Sequence, residues 1–359
     1  MPRALCAKRL LLIAAILATS VAHARAQSSA VQTSHDETPD QTIVLPLQLV
    51  AGEPATLAVL SPEGRVAVGV KLVLSNGEVV TTDASGRAHF LPPDAGILIA
   101  RIPGTEARAA ADVAPQTNAG KLEIAKMPAM VALKDRFTIG GNDFYGDADR
   151  NRVELGGKPA FVLAASPREL VLLASPETAP GKAQLDVRAG GGEAPAEITL
   201  VDVLPDTIQG GVRMGKKEKL VLRVRGTTRA VELDMRNLSP KIVQFKHGDR
   251  QRVRTLGGAD NFATIEVKGQ RAGKFSYAVT LEAQPGTANV QAAEDFLEAA
   301  KKLAAGDEKR GIENILKKLA RKNADIRRAR KEFAKLHAAS SAGDLQALIR
   351  AAGEALNGQ

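Results

Sequence analysis

Between Thr42 and Glu282 the chain seldom runs more than about ten residues without Gly, Pro, Asn or Asp. That spacing leaves no room for long helices. It cuts the apolar residues into short runs, and many of those runs alternate with polar positions, as strands with one buried face do. Val70, Leu72 and Leu74, for example, alternate with Lys71, Val73 and Ser75. Beyond Pro285-Gly286 the punctuation thins and the apolar period lengthens to that of a helix. The expected fold is therefore mainly β: tandem β-sandwiches followed by a C-terminal α-helical segment.

Two stretches carry resemblances. In the first, Lys126-Met-Pro-Ala-Met-Val-Ala-Leu leads to Phe137-Thr-Ile-Gly-Gly-Asn-Asp-Phe-Tyr-Gly-Asp147. Val153-Glu-Leu-Gly-Gly-Lys-Pro-Ala, Ala165-Ser-Pro-Arg-Glu-Leu-Val-Leu-Leu and Pro180-Gly-Lys-Ala-Gln-Leu-Asp-Val follow. In order and spacing this resembles the IPT/TIG family of immunoglobulin-like domains, over about residues 125–203. In the second, Thr82-Asp-Ala-Ser-Gly-Arg-Ala, with Phe90 two positions on, is similar to a turn shared by bacterial Ig-like and carboxypeptidase-regulatory-like domains. The resemblances imply immunoglobulin-like sandwiches, which serve as spacers, binders and dimerisation modules. Within the second stretch Asn76-Gly77 predicts a two-residue type I′ hairpin, and Gly86 a left-handed turn position.

These signals divide the chain into a signal peptide (1–26), a disordered leader (27–41), an Ig-like sandwich (42–115), an IPT/TIG-like sandwich (122–203), a basic β-sandwich (204–284) and a helical tail (288–359). Arg3, Lys8 and Arg9 precede the apolar run Leu10 to Ala22, and small-x-small sites follow at Ala22-His-Ala24 and Ala24-Arg-Ala26. That is the build of a secretory signal. The run is too short for a comfortable membrane span of about 20 residues, and nothing downstream is long enough either. The expectation is an extracytoplasmic protein, periplasmic or secreted to the cell surface, with no transmembrane segment after cleavage. Cys6, the single cysteine, would leave with the signal, so no disulfide framework is expected.

The net charge of +9 is unevenly placed. Residues 27–203 carry 15 basic and 22 acidic groups, whereas residues 204–283 carry 16 basic and 8 acidic. Such asymmetry points to a polyanionic partner for the basic segment, or to contact between the two halves. Lys219, Arg223 and Arg225 fall opposite Leu220, Leu222 and Val224 on one predicted strand. Arg250, Arg252 and Arg254 fall at period two on another, so three guanidinium groups share one side. Like charges so arranged repel unless they face solvent or an anion. These six residues are the candidate polyanion site, for envelope glycan or lipopolysaccharide; a merely solvated face is the plainer reading. Nucleic acid is disfavoured: aromatic residues are 3% of the chain and Trp is absent, which leaves few platforms for stacking bases.

No catalytic constellation stands out. His35, His89, His247 and His337 lie in four different segments, with no HExxH and no Gly-x-Ser-x-Gly. Asp147-Ala-Asp149-Arg-Asn151 copies the start of an EF-hand loop, but Arg152 stands where Gly is needed and Lys158 where a bidentate Glu is needed. Gly210-Gly-Val-Arg-Met-Gly-Lys-Lys217 approaches a P-loop, yet Lys217 replaces the Mg²⁺-binding hydroxyl and a strand follows. No metal, cofactor or enzymatic activity is expected.

In the tail Asn289 is a helix cap, Gly306 a stop and Gly343-Asp344 a second stop and cap. Ile312, Leu319, Ile326 and Phe333 recur every seven residues, which predicts one long amphipathic helix between two shorter ones. The chain reads as an exported structural or interaction scaffold of the bacterial cell envelope, or alternatively as a binder of envelope polyanion through its basic third sandwich. Its partner would be an envelope protein or a polyanionic glycan.

Overall fold

The computed structural model describes residues 41–116, 120–205, 211–282, 288–320, 325–337 and 343–357. The expected signal peptide, Cys6 and all but the last residue of the leader lie outside the described residues.

Residues 42–114 supply β1 (Thr42–Val44), β2 (Gln48–Val50), β3 (Ala55–Leu60), β4 (Lys71–Leu74), β5 (Val79–Thr81), β6 (Arg87–Phe90), β7 (Gly96–Arg101) and β8 (Arg108–Ala114). Next come β9 (Glu123–Lys126), β10 (Met130–Ala132), β11 (Phe137–Asn142), β12 (Arg152–Leu155), β13 (Lys158–Pro159), β14 (Phe161–Ala165), β15 (Glu169–Leu173), β16 (Gly181–Ala189) and β17 (Gly192–Pro205). The third group is β18 (Lys217–Arg225), β19 (Glu232–Asn237), β20 (Val243–Phe245), β21 (Arg250–Arg254), β22 (Phe262–Gly269) and β23 (Tyr277–Leu281). The tail forms α1 (Val290–Leu303), α2 (Gly306–Leu319), α3 (Ile326–His337) and α4 (Asp344–Asn357). The chain is thus mainly β with helices at its C-terminal end, as its punctuation predicts.

Sandwich cores form where alternating apolar residues from two sheets meet. In the first, Leu57, Val59, Leu72, Leu74 and Leu98 pack between the β2-β8-β7-β4-β5 sheet and β1-β3-β6. In the second, Ile139, Leu155, Leu172, Leu185 and Leu200 are fully buried. In the third, Leu220, Leu222, Leu233, Met235 and Phe245 fill the space between β18-β22-β20 and β21-β19-β23. Each such side chain contributes about 2 kcal/mol by leaving water.

Strand pairing does not stop between the sandwiches. One sheet runs β1-β3-β14-β15-β11-β9, so the first and second sandwiches share it through the pair Ala165 and Thr56. A second sheet runs β13-β12-β16-β17-β18-β22-β20. Here β17 pairs with β16 through Leu200 and with β18 from Asp202 onward, so a single strand passes from the second sandwich into the third.

Three local stretches take forms that the sequence leaves open or gives differently. At Asn76-Gly77 only Gly77 takes a positive φ, at 91°, and the Leu74 N–H donates to Glu78 O. The loop is therefore three residues with glycine at the left-handed position, not the expected type I′ pair. The Asp147 to Asn151 stretch is a short 3₁₀ turn capped by Asp147, whose carboxylate accepts the Asp149 N–H. The Asn151 side chain is committed to the backbone of Tyr145 and Asp147.

The third stretch is in the tail. The seven-residue stripe belongs to two helices: α2 ends at Leu319, and Asp325 caps α3 by accepting the Arg328 N–H at 3.0 Å. Splitting the stripe lets Ile312, Ile315 and Leu319 meet Ala329, Phe333 and Leu336 face to face. Asn289 caps α1 as its position predicts, accepting the Ala292 N–H. The bundle then folds back, and Phe296, Leu297, Leu348 and Ala352 join Ile97, Ile99 and Ala110 of the first sandwich in one cluster. Thus α1 and α4 pack on the protein's own first sandwich, while the stripe of α2 and α3 is buried within the tail.

Candidate functional site

The six basic candidates lie on two different sheets of the third sandwich. On β18, Leu220, Leu222 and Val224 point into the core and leave Lys219, Arg223 and Arg225 exposed on the outer side. Lys217 on the same strand pairs with Glu266 of β22 at 3.0 Å. The Lys217 ammonium is the main cause that holds the Glu266 carboxyl below its ordinary value, with Lys246 and Lys219 adding to it. This face is solvent-exposed and carries mixed charge.

On β21 the alternation also holds. Gln251 is buried and Val253 half-buried, while Arg250, Arg252 and Arg254 project from the other side. Because β21 belongs to the opposite sheet, these arginines point away from the β18 group. Two of them are already paired. Arg250 Nε donates to Asp234 Oδ2 at 3.0 Å, and Arg252 Nη1 lies 3.0 Å from Glu282 Oε1. Arg254 stands opposite Glu232 in the strand register. The structure therefore brings together three of the six candidates and separates them from the other three.

What the β21 face meets is the tail. Between β19, β21 and β23 on one side and α3 and α4 on the other lies a cleft of about 830 Å³. Its walls bring Arg236, Arg250 and Arg252 opposite Arg330 and Arg350. Arg330 is 7% exposed and donates through Nε to Leu356 O at 2.9 Å, which satisfies a carbonyl at the C-terminal end of α4. Arg236 lies directly across the strand pair from Arg250. Among the described residues, neither Arg236 nor Arg350 makes an ion pair or hydrogen bond. Asp234 already offsets part of the repulsion between the Arg236 and Arg250 guanidinium groups through Arg250, and an anion at Arg236 would offset the rest.

Burial raises two carboxyls near the cleft. Glu282 is held above its ordinary value first by burial and next by the Glu232 carboxyl, against the opposing charges of Arg252 and Arg330. Glu354 of α4 is likewise raised by burial, with Arg136 and Arg350 opposing. Behind it Glu169 is 6% exposed and is pushed up to about 7, by burial above all. The Gln48 N–H donates to Glu169 Oε2 at 2.9 Å. Among the described residues no three His, Cys, Asp or Glu side chains gather as a metal site. No described helix is long and apolar enough to cross a membrane.

Sequence periodicity finds the β21 arginines but misses Arg236, Arg330 and Arg350. Arg236 shares its strand face with Glu232 and Asp234, so no run of like charge marks it, and the two tail arginines are hidden among 14 basic residues in 288–359. No local signal distinguishes them, because the cleft exists only once the tail has folded back.

No known protein-family model matches the chain, and no curated protein does. Similar solved structures include Bacteroides ovatus SGBP-B, from a mixed-linkage glucan utilization locus, in complex with a mixed-linkage heptasaccharide. It is 12% identical over 70% of this chain and 75% of that one, with a TM-score of 0.23. A tandem of titin domains is 10% identical over 67% of this chain and 95% of that one, with a TM-score of 0.18. The four immunoglobulin domains of Sidekick-1 are 11% identical over 66% and 73%, with a TM-score of 0.22. At such TM-scores the likeness carries no argument about a ligand or partner, and the functional reading rests on this chain's own residues.

Proposed function

We propose that the protein is an exported scaffold of the bacterial cell envelope. Its parts are an Ig-like sandwich (42–115), an IPT/TIG-like sandwich (122–203), a basic sandwich (204–284) and a helical tail (288–359). The observation that carries the reading is the pairing across both joints, by Ala165 with Thr56 and by the length of β17. Sandwiches joined by shared sheets hold fixed orientations, which suits presentation of a surface more than flexible tethering. Export rests on the basic, apolar and small-x-small order of residues 3–26. Cell fractionation with N-terminal sequencing tests it. The expected protein lies outside the cytoplasm and begins at Arg25 or Gln27; a cytoplasmic protein still beginning at Met1 sinks the reading.

A second reading is favoured by the unpaired Arg236 and Arg350 in the cleft: the basic third sandwich and the tail hold an anionic envelope ligand. Retention of the full chain on purified envelope polysaccharide through a salt series tests this. Binding through phosphates or carboxylates fades as salt rises. Retention that an Arg250/Arg252/Arg254→Ser variant keeps unchanged removes the β21 face from the site. The full chain is needed because a segment starting at residue 204 would lose most of β17.

A further inference from the structure

The sheet shared by the first two sandwiches is apolar on both sides. Ile43, Leu57 and Val59 face the first core, whereas Val44, Ala58 and Leu60 face the other way. Val162, Leu170 and Leu172 face the second core, while Leu163, Ala164 and Val171 join the outward cluster across a bulge in β14. An antiparallel sandwich sheet ordinarily turns a polar face outward. Here the outward side is a continuous apolar floor spanning the joint.

That floor lies in a groove of about 780 Å³, whose far side is α4 at Ala347 and Ala351. Phe161 stands 51% exposed at its edge, and Leu173 is half-buried beside it. The rim is cationic: Arg108, Lys134, Arg136 and Arg350 line it, against Asp135 and Glu354. Arg350, Glu354 and Thr280 also line the arginine cleft, so the two cavities meet at α4. An apolar trough therefore leads to the unpaired guanidinium groups of Arg350 and Arg236.

We propose that this groove binds an anionic single-chain lipid. Its acyl chain lies over Val44, Leu60, Leu163, Val171 and Leu173, and its phosphate or carboxylate head lies between Arg350 and Arg236. The charge complementarity commits the occupant. A neutral chain would give Arg236 and Arg350 no anion to bind, and a bare anion would leave Phe161 and Leu173 uncovered. Each cavity is of the size that small-molecule ligands take, roughly 300–1,000 Å³. At its arginine end the inference rests on the anion-binding reading above and deepens it by giving the ligand an apolar part.

The test is calorimetric titration of the full chain with monomeric dodecyl phosphate, dodecyl maltoside and inorganic phosphate. Dodecyl phosphate should bind saturably and at least about tenfold more tightly than either control. Arg350→Gln and Arg236→Gln should each weaken it about tenfold. Phe161→Asp, at an exposed position that folding tolerates, should weaken dodecyl phosphate but leave the response to inorganic phosphate unchanged. Inorganic phosphate binding as tightly as dodecyl phosphate would overturn the lipid inference while leaving the anion reading standing. Equal binding of dodecyl maltoside and dodecyl phosphate would overturn the role of the arginines, and no saturable heat from any of the three would overturn both. A dimer in sedimentation that Phe161→Asp dissolves, without dodecyl phosphate uptake, would make a second copy of the chain the occupant.

Discussion

The two joints between sandwiches solve the same problem by different means. At the second joint the main chain does the work, because β17 runs through and pairs with β16 and then with β18. At the first joint the sheet is bridged by one residue pair, and side chains supply the remainder. Thr56 Oγ1 donates to Gly146 O at 2.6 Å and accepts the Ala148 N–H at 3.2 Å. Ser166 Oγ donates to Gln48 O at 2.6 Å, and Arg87 donates to Val162 O and pairs with Asp149. Glu169 sits in the same seam, against Gln48 and near Glu354 of the tail. A main-chain joint is indifferent to most substitutions and to pH. A joint of buried side chains is sensitive to both, since an unsatisfied buried polar group costs about 1–3 kcal/mol.

The sharpest way to break that contrast is at Gly146. A Cβ there would stand 1.6 Å from the Pro54 carbonyl oxygen, so Gly146→Ala must open the first joint. We expect a loss of about 3 kcal/mol or more in chemical denaturation, at the upper end of overpacking effects. A loss within experimental error would show that the loop and β3 do not meet.

Next in size is the pH dependence of Glu169. Its folded value is raised from 4.5 to about 7, so the neutral form is the one the fold prefers. The stability it contributes is fully present below pH 4.5 and is lost as pH rises through about 7. The shift corresponds to about 3 kcal/mol at 1.36 kcal/mol per unit. Burial raises Glu354, Asp112 and Asp135 in the same direction, whereas Glu63, Asp83, Glu266 and Glu332 are lowered by their hydrogen bonds and cationic neighbours and act against it. The Lys126 and Arg136 charges oppose the effect at Glu169 and Glu354 respectively. Glu169→Gln should remove its share and flatten the slope of the denaturation midpoint between pH 5 and 7. An unchanged slope would place the titration elsewhere.

The smallest effect belongs to the second joint. Arg225 lies across from Asp202 where β17 meets β18, and both project from a pairing that the backbone makes on its own. Arg225→Ala should change stability by less than about 0.5 kcal/mol, as substitutions at exposed positions do. A loss comparable to that of Gly146→Ala would mean that side chains hold this joint too.

Much of the architecture is legible in the residues because it is local. Gly86 takes φ 72° as its turn requires, and Asp83 Oδ1 accepts the Ser85 N–H. The alternation of β18 and β21 places charged and buried residues as periodicity predicts. What was hard to see is long-range. Nothing near Thr56 or Ala165 announces that they pair across 109 positions of chain. One trace was present: Ala55–Leu60 and Leu170-Val-Leu-Leu173 are apolar without alternation, the mark of strands buried on both faces. The heptad of the tail misleads for the same reason, since the stripe continues in sequence past the end of α2 at Leu319 and into α3 at Ile326. The cleft is legible only in part, because β21 supplies a period-two signal and the tail arginines supply none.

Shared sheets join the three sandwiches, and side-chain packing adds the tail, so that all four form one body. Scanning calorimetry of the full chain tests it most directly. One cooperative transition is expected, with calorimetric and van't Hoff enthalpies in agreement. Separate transitions for the first, second and third sandwiches would contradict it.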